Sequence, residues 1–339
     1  LSSSGKNRLN WVIGGFYTNE TIDRTQIANL YIARDPIGID VIETKDKSET
    51  LSAFGDISYA VTDRFTLGTG LRYFHDRRRR SRPDTPDQSG NFHSLNPRFY
   101  ASYAVADNVN VYANVAKGFR SGGFQGRGSN AKFDPENIWS YEIGTKGAVD
   151  QVRWEVTGFY SRYKNYQAFV FNDSFTGSLV NAGNATVFGV DWSFSVDPVR
   201  NLTLQLAGNI TKTELTSIRP GAQSNAEGDR LDYIPDYSLS ASAEYRFDWS
   251  STAPGFIRVD YNQVGPGTIT DRSLGIIKFA SSTLNMLNAR IGLEHGGWSF
   301  ELFGDNLAGE NGRQDPLEAI GFGTRPRPRV FGATVRTKF

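Results

Sequence analysis

Asn108-Val109-Asn110-Val111-Tyr112-Ala113-Asn114-Val115 alternates residue by residue between two kinds of side chain. Successive residues of a strand face opposite ways, so this octet would put Val109, Val111, Ala113 and Val115 on one face and three Asn and a Tyr on the other. The same period recurs along the chain. Leu202, Leu204 and Leu206 alternate with Thr203 and Gln205; Leu239, Ala241, Ala243, Tyr245 and Phe247 alternate with Ser240, Ser242, Glu244 and Arg246; Leu287, Ala289, Ile291 and Leu293 alternate with Asn288, Arg290 and Glu294. A soluble β-sandwich shows this period too, so alternation alone leaves sandwich and barrel open.

The connections favour the barrel. Tight turns are predicted at Thr62-Asp63, Ala106-Asp107, Val149-Asp150, Pro198-Val199-Arg200 and Gly296-Gly297. They alternate strictly with long polar segments near residues 18–50, 75–95, 119–137, 164–184, 212–235, 265–282 and 308–326. Short periplasmic turns and long extracellular loops are the pattern of an outer-membrane barrel, whereas compact soluble domains seldom carry so many long loops. The fold expected is all-β, a transmembrane antiparallel barrel of about 14 strands. Its first strand rises from the periplasm near Arg8, and its last returns there at Phe339. Aromatic residues such as Tyr59, Tyr73, Phe99, Tyr160, Tyr163 and Phe247 fall near strand ends, where amphipathic rings suit the headgroup level. Arg72, Asp191, Glu244, Arg290, Glu294 and Glu301 fall on the inward face, and buried charge is costly unless a wet lumen or a plug domain meets it.

Composition narrows the function. The 339 residues contain 35 Gly, 13% aromatics, a single Met and no Cys, with a net charge of +1 and a mean hydropathy of −0.43. A spanning helix needs about 20 predominantly apolar residues in a row, and runs such as Trp11-Val12-Ile13 and Phe169-Val170-Phe171 last only a few. Without Cys, thiol and Cys-metal chemistry drop out. The scattered basic residues, Arg77-Arg78-Arg79-Arg80 apart, give no reason to expect nucleic acid. Leu1-Ser2-Ser3-Ser4-Gly5-Lys6 has neither an initiator Met nor the regions of a signal peptide, so an upstream segment is expected to be missing.

Several stretches together resemble the TonB-dependent outer-membrane receptors. They are Asn96-Pro97-Arg98-Phe99-Tyr100-Ala101-Ser102-Tyr103, Val111-Tyr112-Ala113-Asn114-Val115-Ala116-Lys117-Gly118-Phe119-Arg120-Ser121-Gly122-Gly123-Phe124, Phe133-Asp134-Pro135-Glu136 and Tyr141-Glu142-Ile143-Gly144-Thr145-Lys146-Gly147. Asn181-Ala182-Gly183-Asn184-Ala185, Phe188-Gly189-Val190-Asp191 and Phe300-Glu301-Leu302-Phe303-Gly304-Asp305-Asn306-Leu307 continue the match over nearly the whole chain. In that family a barrel of about 22 strands surrounds an N-terminal plug, and a short box ahead of the plug engages TonB. The resemblance implies that residues 1–339 are part of the barrel domain without plug or box, roughly its last two-thirds. It also implies active uptake of a bulky nutrient, foremost a ferric siderophore, across the bacterial outer membrane. A passive channel of about 14 strands is the alternative. The alternating end of the chain, with Phe331, Val335 and the terminal Phe339, resembles the signal read by the barrel-assembly machinery.

The same resemblance implies the TonB complex, reached through the absent N-terminal region, as a partner, alongside outer-membrane lipid and lipopolysaccharide. A monomer without cofactor is expected. Loop residues Arg120, Phe124, Arg127, Arg219 and Arg230 are the substrate-binding candidates, as donors and stacking surfaces for an anionic chelate. The Arg77–Arg80 run is a candidate for lipopolysaccharide phosphates. No catalytic constellation is expected: His75, His93 and His295 are spread over extracellular loops and a periplasmic turn, leaving His75-Asp76 at the rim as a minor protease alternative. Haem is disfavoured because Arg120 to Asn137 contains no His. Asn172-Asp173 and the Asp229 to Asp232 region lack metal-loop spacing, so no metal site is expected.

Overall fold

The computed structural model describes residues 1–3, 7–32, 35–83, 85–125, 131–171, 177–220, 225–271, 276–316 and 323–337. Arg127, Asn172-Asp173 and Phe339 lie outside the described residues. The elements are β1 (Leu9–Ile32), β2 (Asp35–Ala60), β3 (Phe65–Arg82), β4 (Thr85–Ala106), β5 (Val109–Arg120), β6 (Gly123–Phe124), β7 (Lys132–Phe133), β8 (Glu136–Val149) and β9 (Val152–Phe171). They continue as β10 (Gly177–Val199), β11 (Leu202–Ile218), β12 (Tyr237–Ser250), β13 (Ala253–Val264), β14 (Thr268–Asp271), β15 (Ile276–Ala280), β16 (Leu284–His295), β17 (Trp298–Asp305) and β18 (Val330–Thr337).

One antiparallel 14-stranded sheet takes all of these in chain order except β6 with β7 and β14 with β15, which form separate two-stranded ribbons. Sequential hairpins make the order. On one side the turns are tight, and their residues adopt the left-handed conformations such turns need: Asp150 has φ 50°, Asn201 has φ 70°, and Gly296 and Gly297 have φ 58° and 81°. At Gly296-Gly297 both central residues are left-handed, the geometry that matches the strand twist.

The exposed and hidden faces decide between barrel and sandwich. A sandwich would bury its apolar face. Here that face is bare: Ile143 is 64% exposed and Leu302 61%, with Ile13, Leu71, Phe99, Val190, Leu206 and Ile291 exposed as well. The opposite face carries Arg72, Asp191, Glu244, Arg290, Glu294 and Glu301, each alternating with these apolar positions. Lipid is the solvent that fits the first face and water the second.

On the wet face rings lie over glycines of the next strand. Gly68 pairs with Tyr100, Gly144 with Tyr112 and Gly292 with Phe256, and a Cβ at Gly68 would fall 2.0 Å from the Tyr100 ring. Glycine there makes room for the ring, which shields the bare backbone in return. The Tyr100 hydroxyl donates to Asp56 Oδ1 at 2.9 Å.

The predicted long loops are corrected in part. The described residues of 18–50 and 75–95 fall almost wholly within two ladders: β1 and β2 stay paired from Leu9↔Tyr59 to Ile32↔Asp35, and β3 and β4 pair up to Arg82↔Thr85. A strand crosses the hydrocarbon in roughly ten residues, so the remainder projects beyond it, where polar residues stand on both faces. Polarity on both faces erases the alternation on which sequence reading depends. Tyr163 also departs from its expected place, packing inside against the buried trio Ala185, Leu215 and Leu231.

Leu206 faces outward in the lower half of β11, and its neighbour Gln205 faces the lumen. In the intact protein folded into lipid vesicles, Leu206→Arg is expected to cost about 2–4 kcal/mol and Gln205→Arg less than about 1 kcal/mol, measured by urea unfolding. Equal costs would remove the assignment of faces.

Candidate functional site at the extracellular mouth

The segment that follows Arg120 folds back against the inner faces of β3 and β4. Its anchor is Asp76, fully buried and the twelfth residue of β3, above the membrane-spanning part. Asp76 accepts hydrogen bonds from Ser121 Oγ at 2.7 Å, Ser48 Oγ at 2.7 Å, Arg78 Nε at 2.6 Å and Thr50 Oγ1 at 3.3 Å. Burial pushes the carboxyl up, but the bonds from Ser121, Ser48 and Arg78 outweigh it and hold it below its ordinary value. One carboxylate thus ties β2, β3 and the segment together.

Arg80 makes the second anchor. It forks onto Asp46 through Nε at 2.6 Å and Nη2 at 3.0 Å, while Nη1 donates to the carbonyls of Phe124 at 2.9 Å and Gln125 at 3.2 Å. Its guanidinium lies 5.8 Å from the Phe124 ring centre. Phe124 is only 6% exposed and, with Phe92 and Phe133, forms a small apolar pad. It therefore roots the segment and presents little ring surface to a ligand.

The far end of the segment is latched by residues of β9, β10 and β11. Asn181 Nδ2 donates to the carbonyls of Asp134 and Asn165, both at 2.9 Å, and Asn181 Oδ1 accepts from the Asp134 N–H at 2.6 Å. Gln167 Nε2 donates to the carbonyls of Ser121 and Asp134, each at 3.0 Å. The neighbouring Ala182 is fully buried. Gly183 has φ 150°, and a Cβ on it would fall 1.8 Å from the Ser217 carbonyl oxygen. Asn181-Ala182-Gly183 thus reads physically as a latch, a bulge and a close backbone approach.

The candidate cations divide. Arg219 donates to Asp134 Oδ2 at 3.3 Å and to Asn165 Oδ1 at 2.7 Å, so it braces the latch. Arg230 is ion-paired with Asp236 and donates to the Ile234 carbonyl at 3.1 Å. Arg120 is exposed and sits opposite Glu136 in the ladder. Burial raises the Glu136 carboxyl above its usual range, and the Gln167 N–H and Arg120 only partly offset this. Tyr166, buried beside Asp232 and Glu136, is pushed up to about 12 and stays a neutral phenol. Of the candidates within the described residues, Arg120 is the cation most free to meet a ligand.

The Arg77–Arg80 run splits by alternation: Arg78 and Arg80 turn inward to Asp76 and Asp46, and Arg77 and Arg79 are exposed on the outer face. His75 stands directly across from His93 on the outer side of adjacent strands, not in separate loops as expected. Since Asp76 points inward, His75 and Asp76 cannot form a rim dyad. The loop after β17 is held by Asn306, 1% exposed, whose Nδ2 donates to the carbonyls of Glu310 at 2.8 Å and Arg327 at 2.9 Å. This buried clamp was not legible in the sequence, where Asn306 stood as one letter of a motif. Phe331 and Val335 lie on the exposed apolar face of β18.

These features define the class: the wall of an outer-membrane β-barrel with a segment folded into its mouth. Residues 2–307 match the family model described as TonB dependent receptor-like, beta-barrel, and the chain belongs to that family. The pesticin receptor of Yersinia pestis is 27% identical over 210 residues, covering 58% of this chain and 30% of that protein. The metal-pseudopaline receptor CntO of Pseudomonas aeruginosa is 29% identical over 151 residues, covering 44% and 21%. Among solved structures, the ferric yersiniabactin uptake receptor FyuA from Yersinia pestis superposes with a TM-score of 0.80 at 21% identity, over 100% of this chain and 52% of that one. The ferric-catecholate import receptor Fiu from K12 E. coli gives 0.76 at 17% identity, over 100% and 53%. The chain thus spans about half the length of these structures and under a third of the curated relatives.

Gly183→Ala is expected to release the segment from its latch, seen in the intact protein as new protease cleavage between residues 121 and 135 with the barrel still folded; unchanged resistance would remove the latch. Asp76 gives a pH test. A lowered pKa means its contribution is full above the ordinary carboxylate value of about 4 and is lost as pH falls through the lower folded value. Protection of the segment should persist at about pH 4 and fall below it, and Asp76→Asn should flatten that dependence.

Proposed function

We propose that this chain is part of the barrel wall and extracellular rim of a receptor that carries a bulky metal chelate, foremost a ferric siderophore, across the outer membrane by TonB-dependent uptake. The observation that carries the reading is the pair of stretches 121–125 and 131–135, anchored against the inner wall at Asp76 and Asn181, with the Arg120 side chain exposed beside them. Ferric chelates are commonly anionic, so an exposed cation beside a wall-anchored segment suits their capture. Three of the similar proteins, receptors for metal-pseudopaline, ferric yersiniabactin and ferric catecholates, support the same substrate class.

The passive channel of about 14 strands is the weaker reading. Among the described residues no pairing joins β1 to β18, and β1 is met on its outer side only by the Leu1 to Ser3 stub through Ser2↔Val12. Unpaired edges at membrane height cost several kcal/mol per group, which supports a wall completed by further strands.

Two measurements separate the readings. The whole gene product, expressed in iron-starved cells, is expected to support growth on one or more ferric siderophores only when TonB is present, and Arg120→Ala should weaken chelate binding about tenfold; uptake independent of TonB would favour the channel. Residues 1–339 alone are not expected to refold reversibly as a monomer in detergent. Reversible two-state refolding would point to a self-sufficient barrel.

A further inference from the structure

His75 of β3 and His93 of β4 are paired directly across the ladder. Both belong to the outward-facing set of their strands, His93 exposed and His75 half-buried. They are two of the three histidines in the chain, and the third, His295, stands far off beside the β16–β17 turn. Directly opposed residues of an antiparallel pair hold their Cβ atoms about 4.5–5.5 Å apart. Two imidazoles on such a pair can each turn a nitrogen toward one shared point, about 2 Å from both.

The surroundings leave both rings free to do so. Neither imidazole has a hydrogen-bond or ion-pair partner among the described residues. Asp76 and Ser94, the next residue along each strand, face the other way and are committed there, Asp76 to its four donors and Ser94 to Asn96 Oδ1 at 2.8 Å. Around the pair the outer face is graded. Leu51 flanks His75 on β2, and Tyr73 and Leu95 stand together one step toward the bilayer. One step the other way, Glu49, Arg77 and Asn91 form a polar row. Glu49 and Asn91 bring oxygens toward a cation or its bound water, and the Arg77 charge opposes it. Among the described residues no third His, Asp or Glu joins the pair as a ligand set, so water fills the remaining positions and the site stays open to exchange.

We propose that His75 and His93 form a two-imidazole site for a divalent transition metal, copper(II) foremost, on the outer face of the β3–β4 ladder. Imidazole nitrogen suits copper, zinc and nickel, whereas magnesium and calcium seek carboxylate, carbonyl and water oxygens. Among the divalent ions of the first transition row, copper(II) binds a given nitrogen site most tightly. The step is coordination alone: two neutral imidazoles displace two waters, and the metal keeps its oxidation state. Filled, the site cross-links β3 to β4 one residue from Asp76, the carboxylate that anchors the folded segment, so an ion bound outside stiffens the rung that holds the mouth. The site is independent of the chelate that the lumen carries.

The test titrates the intact receptor, free of any affinity tag, with copper(II) chloride in detergent and follows binding by electron paramagnetic resonance. Wild type is expected to bind one copper more than His75→Gln/His93→Gln, and the extra signal to carry hyperfine coupling from two nitrogens. Either single variant should weaken that site at least about tenfold. Zinc should displace the copper, and magnesium in large excess should not. Copper should also raise the urea midpoint of the wild type and leave that of the double variant where it was. Equal copper stoichiometry in wild type and double variant overturns the proposal, as do displacement by magnesium and an equal response of the two urea midpoints. Glutamine keeps a polar side chain at both outward positions, and heat-modified gel mobility without metal establishes that each variant folds.

Discussion

Inside a bilayer a backbone N–H or carbonyl without a partner costs several kcal/mol, and the ladder from β1 to β18 is this chain's answer to that cost. Sequential antiparallel pairing satisfies the main chain between the two edge strands and leaves side chains to choose only between two solvents. Apolar residues that would be liabilities in water, such as Ile143 and Leu302, become the lipid-facing surface. Among the described residues the transmembrane part consequently has almost no buried apolar core; buried hydrophobics such as Phe92, Phe124, Leu215 and Leu231 gather where segments fold over the mouth.

Above the membrane a different economy takes over, because water can reach both faces and burial must be created by side chains. Single polar groups then act as rivets. Asp76 gathers four donors from two strands and a segment, Arg80 spreads over one carboxylate and two carbonyls, and Asn181 bridges two carbonyls. A charged hydrogen bond is worth more than a neutral one, so a few such groups hold a segment that has little apolar surface with which to hold itself.

Strand period, turn positions and the direction of apolar faces were legible because the bilayer imposes them on every residue pair. Leu204, Leu206 and Ile291 could be assigned from alternation alone. The extended hairpins of β1 to β4 were not, because Glu49, Lys47, Arg77 and Arg79 on the outer face are as polar as Ser48, Arg78 and Arg80 on the inner one, and the period loses its contrast. The site was legible only as residue types. Sequence marked Arg219 and Arg230 as cations available to a ligand, but availability depends on which carboxylates fold beside them, and Asp134 and Asp236 are brought there by long-range contacts. Gly183 carried a signal in principle, since a glycine between Ala182 and Asn184 suggests an unusual backbone, but the Ser217 carbonyl that demands it is distant in sequence.

The overhanging ladder changes where and how a ligand is first met. At about 3.3 Å per residue and a tilt near 45°, the 24 residues of β1 and the 26 of β2 stand on the order of 25 Å clear of the hydrocarbon boundary. The rim is therefore uneven: it stands high on the side of β1 and β2 and low at β17 and β18, which have eight residues each. On the high side the shape offered to an arriving molecule is set by cross-strand pairing, with the bilayer well below it.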